Sequence, residues 1–245
     1  MPALRVSSSR CPFHSWAAKP SLAAPLWHTL GLLIILLAIS AGLYRMQSRS
    51  AAPGEQHHGN VILYLYVIAA EWALTLCVWV GGLLPGAVRL RDLIGGRWSN
   101  MKAVLLDIAV AAPFWIVWTA VSIGMNFVLG PSHTESLRFL NPRGVVEVTL
   151  WVLMSLSAGF CEELVYRGYL QRQVLALTGT ATLAVLAQAV LFGVGHWYQG
   201  SKQVITITVL GLLFGILAHW RKSLRPGMIS HAWSDVLNVI PIRFP

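Results

Sequence analysis

Long apolar stretches constrain the fold of this 245-residue chain more than any other feature. A helix needs about 20 apolar residues to cross the hydrocarbon layer of a membrane. Lipid offers the backbone no hydrogen-bond partners, so only helices and closed barrels span it. The sequence predicts an all-α, polytopic transmembrane helix bundle with about 7–8 helices. Its apolar stretches are Leu26–Tyr44, Val61–Leu84, Ala103–Leu129, Val145–Cys161, Val174–Gly195, Val204–Trp220 and Met228–Ile240, and residues 167–177 can add a half-helix.

The charge composition excludes a soluble protein. Only 11% of the residues are charged, whereas a soluble domain carries roughly 25%. The net charge is +9, and strongly basic segments occur at 88–102, 167–172 and 221–225, which we read as loops. The positive-inside rule places these loops and the N-terminus in the cytoplasm. Nucleic acid is not an expected partner, because no polar domain with a basic face is present.

Two adjacent glutamates follow the fourth apolar stretch. A charge in the hydrocarbon layer is costly and points to a functional site. Glu163 and Arg167 are four residues apart and share one helical face. Glu162 points about 100° away on a helix, toward a different neighbour. We therefore expect the arginine to neutralise Glu163 and to leave Glu162 free for chemistry.

Two further pairs at the same spacing follow in the C-terminal half. Phe192 and His196 lie near the end of one apolar stretch, and His231 and Asp235 lie on the last one. Each pattern alone is more often structural, because Glu–Arg pairs anchor helix ends and histidines sit in interfacial belts. The three patterns together, within one compact half of the chain, favour an active site.

The set resembles the CPBP (ABI, or CAAX-protease-like) family of intramembrane proteases. That family's pattern is E-E-x-x-x-R, then F-x-x-x-H, then H-x-x-x-N or D. The resemblance covers roughly residues 146–242, and this chain reads Glu162-Glu163-Leu164-Val165-Tyr166-Arg167, Phe192-Gly193-Val194-Gly195-His196 and His231-Ala232-Trp233-Ser234-Asp235.

The resemblance implies a multi-pass peptidase of the cell membrane, which we expect to be bacterial. Eukaryotic members of the family remove the C-terminal tripeptide of prenylated CAAX proteins. The expected partners are membrane lipid and a membrane-associated peptide or protein substrate. We divide the chain into a cytoplasmic tail at 1–25, N-terminal transmembrane helices at 26–144 and a catalytic core at 145–242.

Carried over residue by residue, the resemblance implies that Glu162 is the general base that activates water, with help from His196. His231 and Asp235 would hold the oxyanion of the tetrahedral intermediate. An oxyanion donor at 235 requires a protonated carboxyl; otherwise Asp235 orients His231, and Asn238, about one turn further on, supplies an amide. Glu163 and Arg167, with Phe192, would support the site.

The cofactor prediction favours no metal, although zinc stays open. Glu162, His196 and His231 form a Glu-His-His set that can bind zinc. The chain lacks His-Glu-x-x-His, the helix motif of many zinc proteases. A glutamate that activates water without metal explains the same residues.

Two functions of other classes compete with the peptidase. A non-catalytic membrane scaffold or bacteriocin-immunity-type protein could bind peptides through the same cavity. A transporter or proton relay would use buried carboxylates along the bilayer depth, including Glu71 and Asp107. Glu147 is the remaining acidic residue beside an apolar stretch.

Overall fold

The computed structural model describes residues 21–50, 60–84, 88–130 and 141–237. Over this part of the chain every regular element is helical and no strand occurs, which confirms the all-α prediction. A short 3₁₀ turn, Trp197–Gln199, joins the sixth helix to the seventh. The eight described helices are α1 (Leu26–Ser50), α2 (Val61–Leu83), α3 (Leu90–Ile94), α4 (Met101–Leu129), α5 (Gly144–Thr178), α6 (Ala181–Gly195), α7 (Ser201–Arg221) and α8 (Arg225–Leu237).

Five of these helices are long and apolar enough to cross a membrane: α1, α2, α4, α5 and α7. The shorter apolar helix α6 and the 13-residue helix α8 lie outside that set. Large apolar side chains point outward from the bundle, among them Ile62, Phe127 and Val145. An outward apolar surface is what a lipid environment requires. The chain is therefore a multi-pass membrane protein.

The fourth and fifth apolar stretches are divided differently from the prediction. Helix α5 does not end at Cys161 but continues to Thr178, so it includes the predicted half-helix. The stretch Val174–Gly195 is not one helix, because Gly179 lies at φ 69° and ends α5. Glycine adopts this left-handed conformation without steric cost and commonly terminates helices. Hydropathy does not register such a break.

The middle of α5 is π-helical from Glu163 to Leu170. The following N–H group, of Gln171, donates to the carbonyl of Tyr166, five residues earlier. Insertions of this kind are rare inside α-helices and are frequent at functional sites. Here the π-helical turns begin directly after Glu162.

The basic segment 167–172 was predicted to be a cytoplasmic loop, and this prediction is wrong. Both of its arginines, Arg167 and Arg172, are buried within α5. An arginine can be buried when a carboxylate pairs with it, and Arg167 has such a partner in Glu163. The segment therefore gives no information about which side of the membrane it faces.

The carboxylate of Asp107, on α4, is held by hydrogen bonds and salt bridges between helices. Its Oδ2 accepts a hydrogen bond from Trp98 Nε1 at 2.8 Å and lies 2.8 Å from Arg225 Nε. Its Oδ1 lies 3.3 Å from Arg221 Nη2. This buried carboxylate thus ties α4 to the junction of α7 and α8.

Glu147 is likewise explained by packing at the start of α5. Its two oxygens accept hydrogen bonds from the backbone N–H groups of Asn60, at 2.9 Å, and Arg143, at 2.7 Å. A carboxylate in the first turn of a helix also interacts favourably with the helix dipole. Glu147 therefore joins the N-termini of α2 and α5.

Close helix approaches bring the C-terminal helices together. A Cβ atom on Gly159 of α5 would lie 2.8 Å from Cβ of Ala232 on α8. A Cβ atom on Gly211 of α7 would lie 3.0 Å from Cα of Ala189 on α6. Small residues allow such contacts between helices in lipid, where packing rather than the hydrophobic effect drives association.

Candidate active site

Glu162 lies between two imidazole rings that come from other parts of the chain. Its Oε1 is 3.8 Å from Nε2 of His196, which follows α6. Its Oε2 is 3.6 Å from Nε2 of His231, on α8. The structure therefore brings together one carboxylate and two imidazoles from three helical elements. Each side chain is largely, but not completely, buried, so the group borders a cavity rather than lipid.

The orientation of His196 is fixed by its own helix. Its Nδ1 donates a hydrogen bond to the backbone carbonyl of Phe192 at 2.8 Å, because a carbonyl oxygen only accepts. Nδ1 thus carries a proton, and Nε2 faces Glu162. Phe192 also packs against His196, with ring centroids 4.8 Å apart.

His231 contacts all three acidic residues of the motifs. Its Nδ1 lies 3.1 Å from Oε1 of Glu163, within hydrogen-bond distance. Its Nε2 faces Oε2 of Glu162 at 3.6 Å and Oδ2 of Asp235 at 3.7 Å. Burial lowers the pKa of His231, but the nearby Asp235 carboxylate, the hydrogen bond with Glu163 and the charge of Glu162 together raise it to about 9. His231 is therefore charged near neutral pH and can donate from both nitrogens.

Glu163 differs from its neighbour because one of its oxygens faces both an arginine and a histidine. Its Oε1 lies 3.0 Å from Nη1 of Arg167, and both side chains are almost completely buried. The same oxygen faces Nδ1 of His231. Glu163 therefore links the buried arginine to the histidine. The motif sequence alone did not indicate this contact with His231.

Arg167 is buried among aromatic rings. Its guanidinium carbon lies 4.1 Å from the ring centroid of Phe192 and 5.1 Å from that of Phe214. Cation–π contacts of this kind stabilise a charge that has lost its water. Phe214, on α7, also packs on His231 at 5.2 Å between centroids. Sequence reasoning missed Phe214, because nothing in an apolar helix distinguishes it from other aromatic residues.

Asp235 lies at the edge of this cluster. Its carboxylate is 3.7 Å from His231 Nε2, beyond a direct hydrogen bond. Burial raises the pKa of Asp235 to about 6, which His231 opposes and Glu162 reinforces. Its backbone carbonyl accepts a hydrogen bond from Trp151 Nε1 at 2.9 Å, which ties α8 to α5. Asn238 lies outside the described residues.

A cavity of about 750 Å³ opens onto the cluster. Glu162, His196, His231 and Asp235 all line it, and its other walls carry large aromatic side chains of α4 and α5. The volume falls in the range of ligand-binding cavities. The cavity therefore gives access to the carboxylate and both imidazoles.

A second cavity of about 70 Å³ reaches Glu162 and His196 from the side of α1 and α2. Its size allows a few water molecules, and its polar side chains can bind them. Glu71, on α2, lines both cavities. The sequence identified Glu71 only as an acidic residue in an apolar stretch, because its approach to Glu162 depends on helix packing.

The arrangement of possible zinc ligands is compact. Glu162 contacts His196 and His231 directly, at 3.8 and 3.6 Å. Across residues 21–50, 60–84, 88–130 and 141–237, no group of three or more His, Cys, Asp or Glu side chains is arranged so that it could hold a metal ion.

Comparisons with known proteins point to one family. Residues 144–237 match the model of type II CAAX prenyl endopeptidase Rce1-like proteins. The uncharacterized protein YpbD of Bacillus subtilis (strain 168) is 25% identical over 144 residues, which cover 53% of this chain and 70% of that protein. No solved structure matches the chain significantly. The predicted resemblance is thus confirmed for one part of the chain: residues 144–237 form a domain of the Rce1-like type II CAAX prenyl endopeptidase family.

Proposed function

We propose that this protein is an intramembrane endopeptidase that hydrolyses a peptide bond of a membrane-associated peptide or protein. The observation that carries the proposal is the position of Glu162 between Nε2 of His196 and Nε2 of His231, at the wall of the large cavity. Membership of a protease family implies a protein substrate. The relative in Bacillus subtilis supports a bacterial cell membrane as the location.

The proposed reaction begins with a water molecule beside Glu162 and His196. Glu162 accepts a proton from this water, whose oxygen attacks the carbonyl carbon of the substrate. His196, held by the carbonyl of Phe192, positions the water through Nε2. The small cavity on the far side of Glu162 can supply that water from within the bundle.

The developing oxyanion then needs hydrogen-bond donors. Protonated His231 can donate from Nε2 while its Nδ1 donates to Glu163, which fixes the ring. Asp235 lies beside the same Nε2 and orients it, or donates when protonated. The proton taken by Glu162 passes to the leaving amine, and the carbon–nitrogen bond breaks.

A comparison of membrane peptides from living cells tests the proposed activity. Cells with the wild-type protein are expected to contain cleaved membrane peptides that are absent from cells with Glu162→Gln. Cys161→Ser is the matched control, because it alters the adjacent buried residue and is expected to give the wild-type peptide pattern. Identical peptide termini in wild-type and Glu162→Gln cells would support a non-catalytic scaffold or immunity-type protein instead.

Metal removal tests the chemistry of water activation. We infer a metal-free mechanism, because Glu162 can itself accept a proton from water and the chain lacks the His-Glu-x-x-His motif of many zinc proteases. The purified protein is therefore expected to keep its cleavage rate after treatment with EDTA and 1,10-phenanthroline. Loss of activity under chelation, with recovery on addition of one equivalent of Zn²⁺, would overturn this inference.

A further inference from the structure

Three residues that line the large cavity each carry a buried polar atom with no hydrogen-bond partner within the described part of the chain. These atoms are Oε2 of Glu71 on α2, and Nε1 of Trp118 and Oγ1 of Thr119 on α4. The Glu71 side chain belongs to a residue that is only 7% exposed. All three come from the N-terminal half, outside the residues that match the protease family.

Such groups are unusual, because a buried polar atom without a partner costs about 1–3 kcal/mol. Asp107, the other buried acidic residue that the structure describes in the N-terminal half, does not share this condition. Asp107 is held by two arginines and Trp98, as described above. An unpartnered buried group in a native protein therefore needs an explanation. A bound ligand that supplies the missing hydrogen-bond partner is one such explanation.

The position of Glu71 points toward the reacting atoms. It lines both cavities next to Glu162. Glu162 and Asp235 are also the two acidic groups whose charges act on it. Glu71 therefore lies beside the catalytic cluster, on a helix that the family motifs do not include.

A peptide that enters a site inside the membrane must be unwound before a bond can be attacked. Its own N–H and C=O groups then lose their helical partners, and lipid does not replace them. A site that cleaves such a peptide therefore needs both acceptors and donors along its path. Glu71 offers an acceptor, and Trp118 and Thr119 offer donors.

We propose that Glu71, Trp118 and Thr119 form a subsite that binds the extended backbone of the substrate peptide. Glu71 accepts a hydrogen bond from a peptide N–H, and Trp118 and Thr119 donate to peptide carbonyl groups. This inference rests on the proposed function and assigns the N-terminal half a direct role in it. The ligand that the subsite recognises is the peptide backbone rather than a particular side chain.

Amide-to-ester exchange in the substrate tests this subsite. The full chain is reconstituted in phosphatidylcholine–phosphatidylglycerol vesicles with a panel of lipid-anchored, quenched-fluorescence peptides. In a peptide that the wild type cleaves, each amide flanking the scissile bond is replaced in turn by an ester, which lacks the N–H donor. At one position the ester is expected to lower kcat/KM about tenfold with the wild type, and to have no effect with Glu71→Ala.

Single-residue variants of the protein, assayed with the all-amide peptide, test the same subsite from the protein side. Glu71→Ala is expected to lower kcat/KM about tenfold, mainly through KM. Thr75 lies one turn further along α2, is as buried as Glu71 and lines neither cavity. The control variant Thr75→Val should therefore keep the wild-type kinetics and the wild-type sensitivity to the ester. Trp118→Phe and Thr119→Val remove only a donor each and should also raise KM, which provides a test if Glu71→Ala does not fold.

The outcomes separate this inference from the proposed function. If the wild type cleaves the peptide but kcat/KM is unchanged in Glu71→Ala, Trp118→Phe and Thr119→Val, the subsite is overturned and the peptidase stands. The subsite is also overturned if the ester lowers kcat/KM by the same factor in the wild type and in Glu71→Ala. If the wild type cleaves no peptide of the panel, the proposed function fails and the subsite fails with it.

Discussion

Replacement of Glu162 by glutamine is expected to lower kcat for peptide cleavage by about a hundredfold to ten-thousandfold. Glutamine has nearly the same shape and can keep the contacts with His196 and His231. It cannot accept a proton from water, so the attacking hydroxide is not formed. Because the substitution changes the chemical step rather than substrate binding, KM should change little.

The stability of this variant should match that of the wild type. Glu162 borders a cavity, and no fully buried cation depends on it, unlike its neighbour Glu163. Cleavage rates of a fluorogenic peptide in vesicles and thermal unfolding in detergent measure the two effects separately. Full activity in Glu162→Gln would refute the assignment of the general base, whereas inactivity combined with unfolding would give no support to it.

The fold was largely predictable from hydropathy, and the physical reason is the bilayer. Lipid requires long uninterrupted apolar helices, so the stretches beginning at Leu26, Val61 and Ala103 reappear as α1, α2 and α4. The errors occur where helix ends depend on local backbone geometry or on burial of charge. Gly179 ends α5 through a left-handed conformation, and Arg167 lies in the core because Glu163 neutralises it.

The candidate site was predictable only as a set of residues with shared helical faces. The spacing of Glu163 and Arg167 along one helix predicts their proximity, because i and i+4 positions are neighbours. Contacts between helices do not follow from spacing. The approach of Glu163 to His231 and the position of Glu71 beside Glu162 depend on how α2, α5 and α8 pack, which the sequence does not encode in any short pattern.

Loss of either partner of the buried Glu163–Arg167 pair should destabilise the protein strongly. Arg167→Met leaves the Glu163 carboxylate with a single cationic neighbour, and Glu163→Leu leaves the guanidinium without any carboxylate at salt-bridge distance. An uncompensated buried charge costs about 3–5 kcal/mol. Each single variant is therefore expected to lower the free energy of unfolding by about that amount, measured by denaturant unfolding in detergent micelles.

The double variant Glu163→Leu/Arg167→Met separates stability from catalysis. Replacement of a buried ion pair by apolar residues of similar size is often neutral, so the double variant should recover most of the stability lost in either single variant. Catalysis should not recover, because Nδ1 of His231 loses the oxygen of Glu163 that lies 3.1 Å away and fixes the ring. We expect kcat to remain at least about tenfold below the wild type, although the free energy of unfolding recovers. A double variant that is both stable and fully active would mean that Glu163 does not position His231. A double variant that loses as much stability as the two single variants together would mean that the pair is not energetically coupled.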